Sequence, residues 1–303
     1  MIMAMDAVLP LCACDLPRAR ILFASLRRHA VGFGTLFIVS PARDVPDVQR
    51  ELARQHLPCA TVLLPEHELV PELARARGFR GWYRQQLTKL AIAECVATPH
   101  YLTLDADVIC TRRVTPEDLA PNNRSLCHVT LADLHADWYA HSAAVLGLTP
   151  KRTGISHNVT PAALSREGVL ALQAHLGERA RAHRYRAGVR GLAQRAHYAA
   201  TSSGEPWRRY LIAGAPWTEY ALYYTFLEGT GRFERYHAPS EQALYSTAHS
   251  VWRADAARFD AWDPRPIFDG AGAPYFVVVQ SITRLAPERI WHKVAPFLEE
   301  SSN

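Results

Sequence analysis

The sequence predicts an α/β protein with a mostly parallel central sheet and helices on both of its faces. Its first third alternates short apolar runs, typical of strands, with segments whose apolar residues recur at helical spacing. The strand segments are apolar on both faces, as in a parallel sheet that is buried between helices. One of these strands leads directly into two aspartates, at the strand end where α/β sheets bind ligands. Of the 303 residues, 49% are apolar, which excludes an intrinsically disordered chain.

The first 65 residues supply three strands and two helices to this prediction. The strands are residues 7–11, 35–39 and 60–64, and the helices begin after Asp15 and Asp44. Both aspartates are candidate N-caps, and Pro17 fits the first turn of the first helix. Gly32 and Gly34 end that helix. The order is therefore strand, helix, strand, helix, strand.

A third helix and a fourth strand lead to the aspartate pair. After a loop over residues 65–80, a helix is predicted over residues 81–96, and Thr98 and Pro99 follow its end. The strand at 101–104 then delivers Asp105, Ala106 and Asp107 at its carboxyl end.

The regular alternation fades after residue 121. Strands are predicted at 125–130, 143–148 and 275–279, helix starts at Thr160–Pro161 and Ser165, a helix end at Gly177, and a last helix that contains Ile290 and Val294. We therefore expect one integrated domain with two halves, residues 1–120 and 121–303, the second of which contains an arginine-rich excursion at 178–204.

The arginine-rich excursion has two interpretations. Residues 179–195 contain six arginines and no acid. Such a segment is either a solvated helical surface or a patch for an anionic acceptor or a membrane surface. The net charge of the whole chain, +5, is too small to indicate nucleic-acid binding.

The cysteines and the apolar runs bear on the cellular compartment. Six cysteines lie in apolar segments without a Cys-x-x-Cys pair, so we expect reduced thiols rather than disulfides or structural zinc. The longest apolar run, residues 7–14, is too short for a membrane span, and the first 16 residues lack a signal peptide's basic stretch. We expect a cytoplasmic protein, with peripheral contact at the inner face of the membrane as a further hypothesis.

Asp105 and Asp107 predict a metal-phosphate site. Two like charges at a strand end need a cation, and carboxylate oxygens suit Mg²⁺ or Mn²⁺. These ions usually complete their coordination with water and phosphate oxygens. The pair therefore predicts a phosphorylated ligand, whereas two ordinary surface acids are the alternative.

Two motifs in this region resemble a family. Residues 81–90, Gly-Trp-Tyr-Arg-Gln-Gln-Leu-Thr-Lys-Leu, and residues 101–110, Tyr-Leu-Thr-Leu-Asp-Ala-Asp-Val-Ile-Cys, resemble a bacterial group of glycosyltransferases with the GT-A fold. The resemblance covers residues 5–120, and the second half adds only Gly154-Ile-Ser-His-Asn, Trp217-Thr-Glu-Tyr and Val279-Gln-Ser. It implies a nucleotide-sugar donor bound by residues 1–120, Mn²⁺ or Mg²⁺ held by Asp107, the second aspartate of the motif, and transfer to a hydroxyl acceptor bound by residues 121–303. That acceptor is a glycan, a lipid-linked sugar or a polysaccharide. We expect Asp105 to hold the ribose or a metal-bound water, and Ala106 to contact the donor beside it.

Residues on the preceding helix suit a donor. Arg84 can bind a diphosphate bidentately and Lys89 can bind it as a point charge, although solvated helix charges are the alternative. Gln85 and its neighbour Gln86 are candidates for hydrogen bonds to the base or ribose. Trp82 is expected in the core rather than as a stacking surface.

The third protein contact to the metal and the catalytic base are assigned to the second half. GT-A enzymes often complete the metal shell with a late histidine, whereas this chain has Gln280 and Ser281 at that strand end. The alternatives are His292 and His157, and His157 better suits a contact to acceptor or donor.

Glu219 is the candidate base. Thr218 is predicted to cap a helix whose first turn places Glu219 at the mouth of the site, which favours an inverting transfer. Trp217 suits either a sugar-stacking surface or the core.

Three other functions compete with glycosyl transfer. A haloacid-dehalogenase-type phosphatase expects the Asp-x-Asp motif near the start of its domain and a later acidic pair, and neither is present. A nucleotidyltransferase expects a Gly-rich phosphate loop after the first strand, which is missing. A non-catalytic nucleotide-sugar-binding protein remains the third alternative.

Overall fold

The computed structural model describes residues 4–76, 78–130, 135–149, 156–157, 160–186, 204–214, 216–240, 244, 248–269 and 273–299. The strands are β1 (Asp6–Pro10), β2 (Thr35–Ser40), β3 (Ala60–Pro65), β4 (His100–Thr103), β5 (Val108–Cys110), β6 (Ser125–Thr130), β7 (Ser156–His157), β8 (Ala162–Ser165), β9 (His237–Ser240) and β10 (Phe276–Val278). The helices are α1 (Leu16–His29), α2 (Val45–Leu52), α3 (Glu66–Leu69), α4 (Gly81–Ala91), α5 (Pro116–Leu119), α6 (Ala136–Leu146), α7 (Arg166–Arg186), α8 (Pro206–Ala213), α9 (Glu219–Gly229), α10 (Phe233–Tyr236), α11 (Arg265–Asp269) and α12 (Pro287–Leu298).

The main sheet has the strand order β3-β2-β1-β4-β8. The first four of these strands are parallel, with Ala7 opposite Leu36 and also opposite Leu102, and β8 runs antiparallel to β4. The predicted fold class, a mostly parallel sheet within an α/β protein, is therefore confirmed. Two small sheets, β10-β5 and β7-β6-β9, extend the second half.

Helices cover both faces of the main sheet because successive strand residues point to opposite sides. Val8 of β1 belongs to a core cluster that contains Leu90 of α4 and Leu172 of α7. Its neighbour Leu9 belongs to a second cluster that contains Leu22 of α1. This arrangement explains why the strands are apolar on both faces.

Several expectations for the second half are wrong in detail. Residues 143–146 belong to α6, so the strand predicted at 143–148 is wrong. Gly147 ends this helix in the left-handed region at φ 63°. Gly177 does not end α7, which continues to Arg186 while its predicted stripe of Val169, Leu172 and Leu176 is fully buried. The burial of the long apolar stripe therefore keeps the chain helical despite the low helix propensity of Gly177.

Cys12 and Cys14 are joined by a disulfide, so the expectation of reduced thiols is wrong for this pair. Cys59, Cys95, Cys110 and Cys127 are not disulfide-bonded. Cys12 Sγ also lies 2.9 Å from Asp15 Oδ2, which places the disulfide beside a carboxyl group.

Within the described residues, no helix is long and apolar enough to cross a membrane. The arginine-rich excursion starts inside α7, and its residues 187–203 lie outside the described part of the chain.

Candidate active site

Two carboxylates lie where β4 ends. The backbone of Leu104 still donates to Val8 O at 2.8 Å, and the chain then turns through Asp105 and Asp107 before β5. Ala106 between them packs against the core cluster on the α1 side of the sheet. Both aspartates therefore stand at the carboxyl end of the parallel strands, as the sequence predicts.

The exit of β10 holds Asp107 in place. Since β10 pairs antiparallel with β5, it brings Val279 N to Asp107 O at 3.0 Å and Ser281 N to Asp107 Oδ2 at 2.7 Å. Gln280, between these two residues, accepts a hydrogen bond from Arg253 N at 3.3 Å through Oε1. The structure thus places the predicted segment of residues 279–281 directly beside Asp107.

Negative charge is concentrated at this strand end. Burial and the charge of Asp105 raise the pKa of Asp107 to about 6, and the nearby Arg18 guanidinium opposes this shift. Burial likewise raises the pKa of Asp15, and Asp105 adds to that effect. Asp105 therefore acts on both Asp15 and Asp107. Carboxylate oxygens are ligands that suit Mg²⁺ or Mn²⁺.

Lys89 is enclosed by oxygen atoms. Its Nζ lies 2.9 Å from Asp105 Oδ1, 2.9 Å from Thr160 Oγ1, 3.2 Å from Glu219 Oε1 and 3.5 Å from Tyr220 OH. The residue is only 3% exposed, and the neighbouring negative charges raise its pKa well above the usual value despite the opposing effect of burial. An ammonium group has three donors, so these partners occupy it. Lys89 was expected to contact a diphosphate; the structure assigns it to Asp105 and Glu219 instead.

A hydroxyl network supports this lysine. Tyr220 OH lies 2.7 Å from both Thr103 Oγ1 and Thr160 Oγ1, and Thr103 Oγ1 donates to Ala162 O at 2.9 Å. These groups tie β4 and β8 to the start of α9. The network fixes the position from which Lys89 reaches Asp105.

Glu219 begins α9 as predicted but does not lie at the mouth of the site. The Thr218 hydroxyl caps the helix by accepting from Ala221 N at 3.3 Å, and Glu219 N donates to Gln86 Oε1 at 3.1 Å. The Glu219 carboxylate is 4% exposed and pairs with Lys89, and burial raises its pKa. An acceptor hydroxyl cannot reach the carboxylate while this packing persists. The predicted position of Glu219 at the mouth of the site, from which an inverting transfer was inferred, is therefore wrong.

A cavity of about 870 Å³ opens beyond the ends of β1 and β2. Its lining includes Leu11, Val39, Arg43, Phe79, Arg84 and Gln85. Cys14 also lines it, and the following Asp15 is close enough to Asp105 to be affected by its charge. Asp15, Asp105 and Asp107 are not among the described residues that line this cavity, and Cys14 is its nearest lining residue to them in the chain. Asp107 lines a separate small cavity with Arg18 and Val279.

Arg84 lines this cavity and forms an ion pair with Glu66. Its Nε donates to the Glu66 carboxylate at 2.9 and 3.0 Å, and a terminal nitrogen donates to Leu73 O at 3.3 Å. Glu66 and Leu73 thus use three of the five N–H donors of the guanidinium, and the Glu66 carboxylate, which also lines the cavity, offsets its charge. An anionic ligand would meet the two remaining donors.

The structure buries His157 away from the cavity. Its Nε2 lies 2.8 Å from Glu228 Oε1, its Nδ1 lies 3.2 Å from Cys127 Sγ, and its ring stacks on Tyr224. The expectation of a ligand contact by this side chain is corrected, because protein groups surround the imidazole.

The structure places one of the two predicted tryptophans in the core and the other at the surface. Trp217 is buried, and its Nε1 donates to Leu211 O at 2.9 Å, so it is a core residue. Trp82, which was expected in the core, is 47% exposed. His292 lies exposed on α12.

Three residues of the site, Asp15, Thr160 and Tyr220, were not predicted from the sequence as functional residues. Asp15 was interpreted as a helix cap, although its side chain makes no capping hydrogen bond. Thr160 and Tyr220 carry no local signal, since they meet Lys89 only through tertiary packing. The sequence could not show that the Asp15 side chain leaves the helix end uncapped, so nothing in it indicated a role for Asp15 in the site.

Comparisons with known proteins give a family and a fold. A model described as "Family of unknown function (DUF6492)" matches residues 2–302. No curated protein matches the sequence.

The chain resembles solved glycosyltransferases. The crystal structure of mouse xyloside xylosyltransferase 1, in its apo form, is 13% identical over 94% of this chain and 100% of that chain, with a TM-score of 0.50. The apo-form glycosyltransferase GlyE of Streptococcus pneumoniae TIGR4 is 11% identical over 92% of this chain and 55% of that chain, with a TM-score of 0.43. The likeness to the xylosyltransferase shows a shared fold.

Proposed function

The chain belongs to the family of unknown function DUF6492, and we propose that it is a metal-dependent glycosyltransferase. It moves a sugar from a nucleotide-sugar donor to a hydroxyl group of a glycan, lipid-linked sugar or polysaccharide. The observation that carries this proposal is the pair of Asp105 and Asp107 at the carboxyl end of β4, in a fold shared with a xylosyltransferase.

The cavity is suited to the nucleotide part of the donor. Its volume of about 870 Å³ lies within the range of small-molecule and cofactor sites. Arg43 and Arg84 supply positive charge, and Gln85 supplies an amide for the base or ribose. The apolar side chains of Leu11 and Phe79 suit the flat face of a base.

Asp107, together with Asp105, would hold Mn²⁺ or Mg²⁺, and Gln280, Ser281 and His292 are the candidates for a further protein contact. When bound, the cation would offset the charge that grows on the departing diphosphate. Lys89 orients Asp105 by its ion pair, and Ser281 N orients Asp107. The fit rests on the chemistry of the donors, because two carboxylates that directly follow β4 offer the hard oxygen ligands that these ions prefer.

A turnover assay tests the function. Purified protein with Mn²⁺ is mixed with nucleotide sugars that carry each of the common bases, and released nucleoside diphosphate is measured. We expect release that depends on Mn²⁺ and is lost in Asp107→Asn, whereas Asp263→Asn, at an exposed site paired with Arg265, retains it.

Other products would identify the competing functions. Pyrophosphate released from nucleoside triphosphates would indicate a nucleotidyltransferase, and inorganic phosphate released from phosphate esters would indicate a phosphatase. Donor binding without any turnover would indicate a binding protein.

A further inference from the structure

An aromatic surface lies at the start of α4, outside the cavity. We call Trp82, His135 and Trp138 the aromatic platform. Trp82 is 47% exposed, His135 is exposed and Trp138 is half-buried. A single exposed apolar side chain is common on protein surfaces, but here three aromatic rings lie together at one exposed place.

The rings of the aromatic platform form one connected surface. Ring centroids of Trp82 and Trp138 are 5.8 Å apart, and those of His135 and Trp138 are 3.9 Å apart with the planes within 7° of parallel. Tyr83 supports Trp82 at 5.1 Å and itself packs on the buried Trp217 at 5.6 Å. The platform therefore rests on the core, which limits its conformational freedom.

The platform lies a short distance from the carboxylates. Lys89 follows Trp82 by seven positions on α4, which is about 10 Å along the helix axis, and Lys89 contacts Asp105 directly. Gly81, Arg84 and Gln85 of the same helix line the cavity. A chain of a few sugar rings could span this separation.

We propose that the aromatic platform binds a sugar ring of a carbohydrate acceptor by stacking against its hydrocarbon face. This inference rests on the proposed glycosyltransferase function and names the acceptor class. The C–H groups of one pyranose face are apolar and meet the negative face of an aromatic ring favourably. Asp137 and His141, both exposed on α6, place polar groups at the edge of the platform for the sugar hydroxyls.

The composition of the surface favours a sugar over a protein or a membrane. Stable protein interfaces bury about 800 Å² on each partner, whereas the exposed large hydrophobics of the described residues are Val31, Val62, Trp82 and Ile282, of which only Trp82 belongs to the platform. A membrane-binding face would surround such rings with basic side chains. Here the exposed neighbours include Asp137.

Binding of neutral tetrasaccharides tests the platform. Cellotetraose, maltotetraose, xylotetraose and chitotetraose are titrated into the full chain, and tryptophan fluorescence and saturation-transfer NMR are recorded. Sorbitol, which has hydroxyls but no ring face, is the negative ligand. We expect at least one tetrasaccharide to bind and Trp82→Ala to weaken it about tenfold.

Matched variants separate stacking from a general loss of structure. Trp82→Phe keeps an aromatic ring and should retain most of the affinity, and Trp291→Phe removes one indole from α12, away from the platform, without affecting binding. Wild-type protein that binds none of the four tetrasaccharides overturns the inference, as does equal binding by Trp82→Ala. A dimer that Trp82→Ala converts to monomer also overturns it, since the platform would then be an interface.

Donor turnover keeps the two hypotheses apart. Release of nucleoside diphosphate to water, without acceptor, should be unchanged in Trp82→Ala. Turnover without tetrasaccharide binding would reject the platform and leave the glycosyltransferase proposal standing. Tetrasaccharide binding that depends on Trp82, without turnover of any nucleotide sugar, would support the platform and count against the proposed function.

Discussion

Lys89 Nζ lies 2.9 Å from Asp105 Oδ1, and this ion pair joins α4 to the carboxylates at the end of β4. The same ammonium group lies 3.2 Å from Glu219 Oε1 at the start of α9. One buried cation therefore serves two carboxylates from different halves of the chain. It positions Asp105 and connects the cavity-lining helix to the second half.

Replacing Lys89 should destabilise the protein. In Lys89→Met the carboxylates of Asp105 and Glu219 lose their shared cation, and breaking a buried pair in this way costs about 3–5 kcal/mol. The free energy of unfolding from urea denaturation measures this loss. Lys293→Met, at a half-buried site where Nζ donates to the backbone carbonyls of Asp260 and Trp262, is the matched control. A loss below about 1 kcal/mol in Lys89→Met would contradict the role of this residue, because an exposed pair would cost that much at most.

The sequence was sufficient for those parts of the site that depend on local pattern. Asp105 and Asp107 were predicted because an apolar strand ends at them, and Thr218 because a hydroxyl precedes a helical stripe. The burial of Glu219 was not predictable, since it follows from α4 packing against α9 and placing Lys89 and Gln86 over the carboxylate and the helix start. The exposure of Trp82 escaped prediction for the same reason, because periodicity cannot tell which apolar residue faces a neighbour.

Asp107→Asn should abolish metal-dependent donor binding. An amide is a weaker ligand than a carboxylate for Mn²⁺, so we expect the affinity for nucleoside diphosphate in Mn²⁺ to fall about a hundredfold. The fold should persist, because Asn can still accept the hydrogen bond from Ser281 N. Calorimetry with and without Mn²⁺ measures the effect, with Asp263→Asn as control. Equal donor affinity of Asp107→Asn and wild type in Mn²⁺ would show that Asp107 is not the ligand.

Arg84→Gln should weaken the binding of a nucleoside diphosphate more than the binding of the free nucleoside. The guanidinium lines the cavity, and a charge-assisted hydrogen bond to phosphate is worth about tenfold in affinity. We expect the nucleoside to lose less than about twofold, since it carries no phosphate. Arg265→Gln, at an exposed site, is the control for charge. Similar losses for the two ligands would indicate that Arg84 acts on the cavity only through its pair with Glu66.

His29 should make stability depend on pH below neutrality. Burial lowers its pKa from 6.5 to about 4, and its Nε2 is enclosed without a hydrogen-bond partner among the described residues. The unfolded chain therefore takes up a proton that the folded chain resists. The contribution of neutral His29 to the free energy of unfolding is fully present above pH 6.5. As the pH drops towards 4, the free energy of unfolding falls by about 1–3 kcal/mol.

The variant His29→Gln isolates this effect. Gln cannot be protonated, so the difference in the free energy of unfolding between wild type and variant should change between pH 7.5 and 4.5, in the variant's favour at low pH. The exposed His56→Gln is the matched control. A difference that stays constant across this range would rule out the assigned burial of His29.

Glu219→Gln distinguishes a catalytic base from a positioning residue. The Glu219 carboxylate is enclosed and paired with Lys89, so the structure predicts that it acts through Lys89 and Asp105 rather than on the acceptor hydroxyl. Gln keeps the shape and one hydrogen-bond acceptor for Lys89, while the ion pair between Lys89 and Asp105 remains. We therefore expect donor binding to be retained and the transfer rate to stay within about tenfold of wild type, because loss of a general base costs about 10²–10⁴-fold. Transfer rates and NMR of the product's anomeric configuration measure both aspects. A loss above a hundredfold at unchanged stability, together with an inverted product, would restore Glu219 as the base and require α4 to move when the acceptor binds.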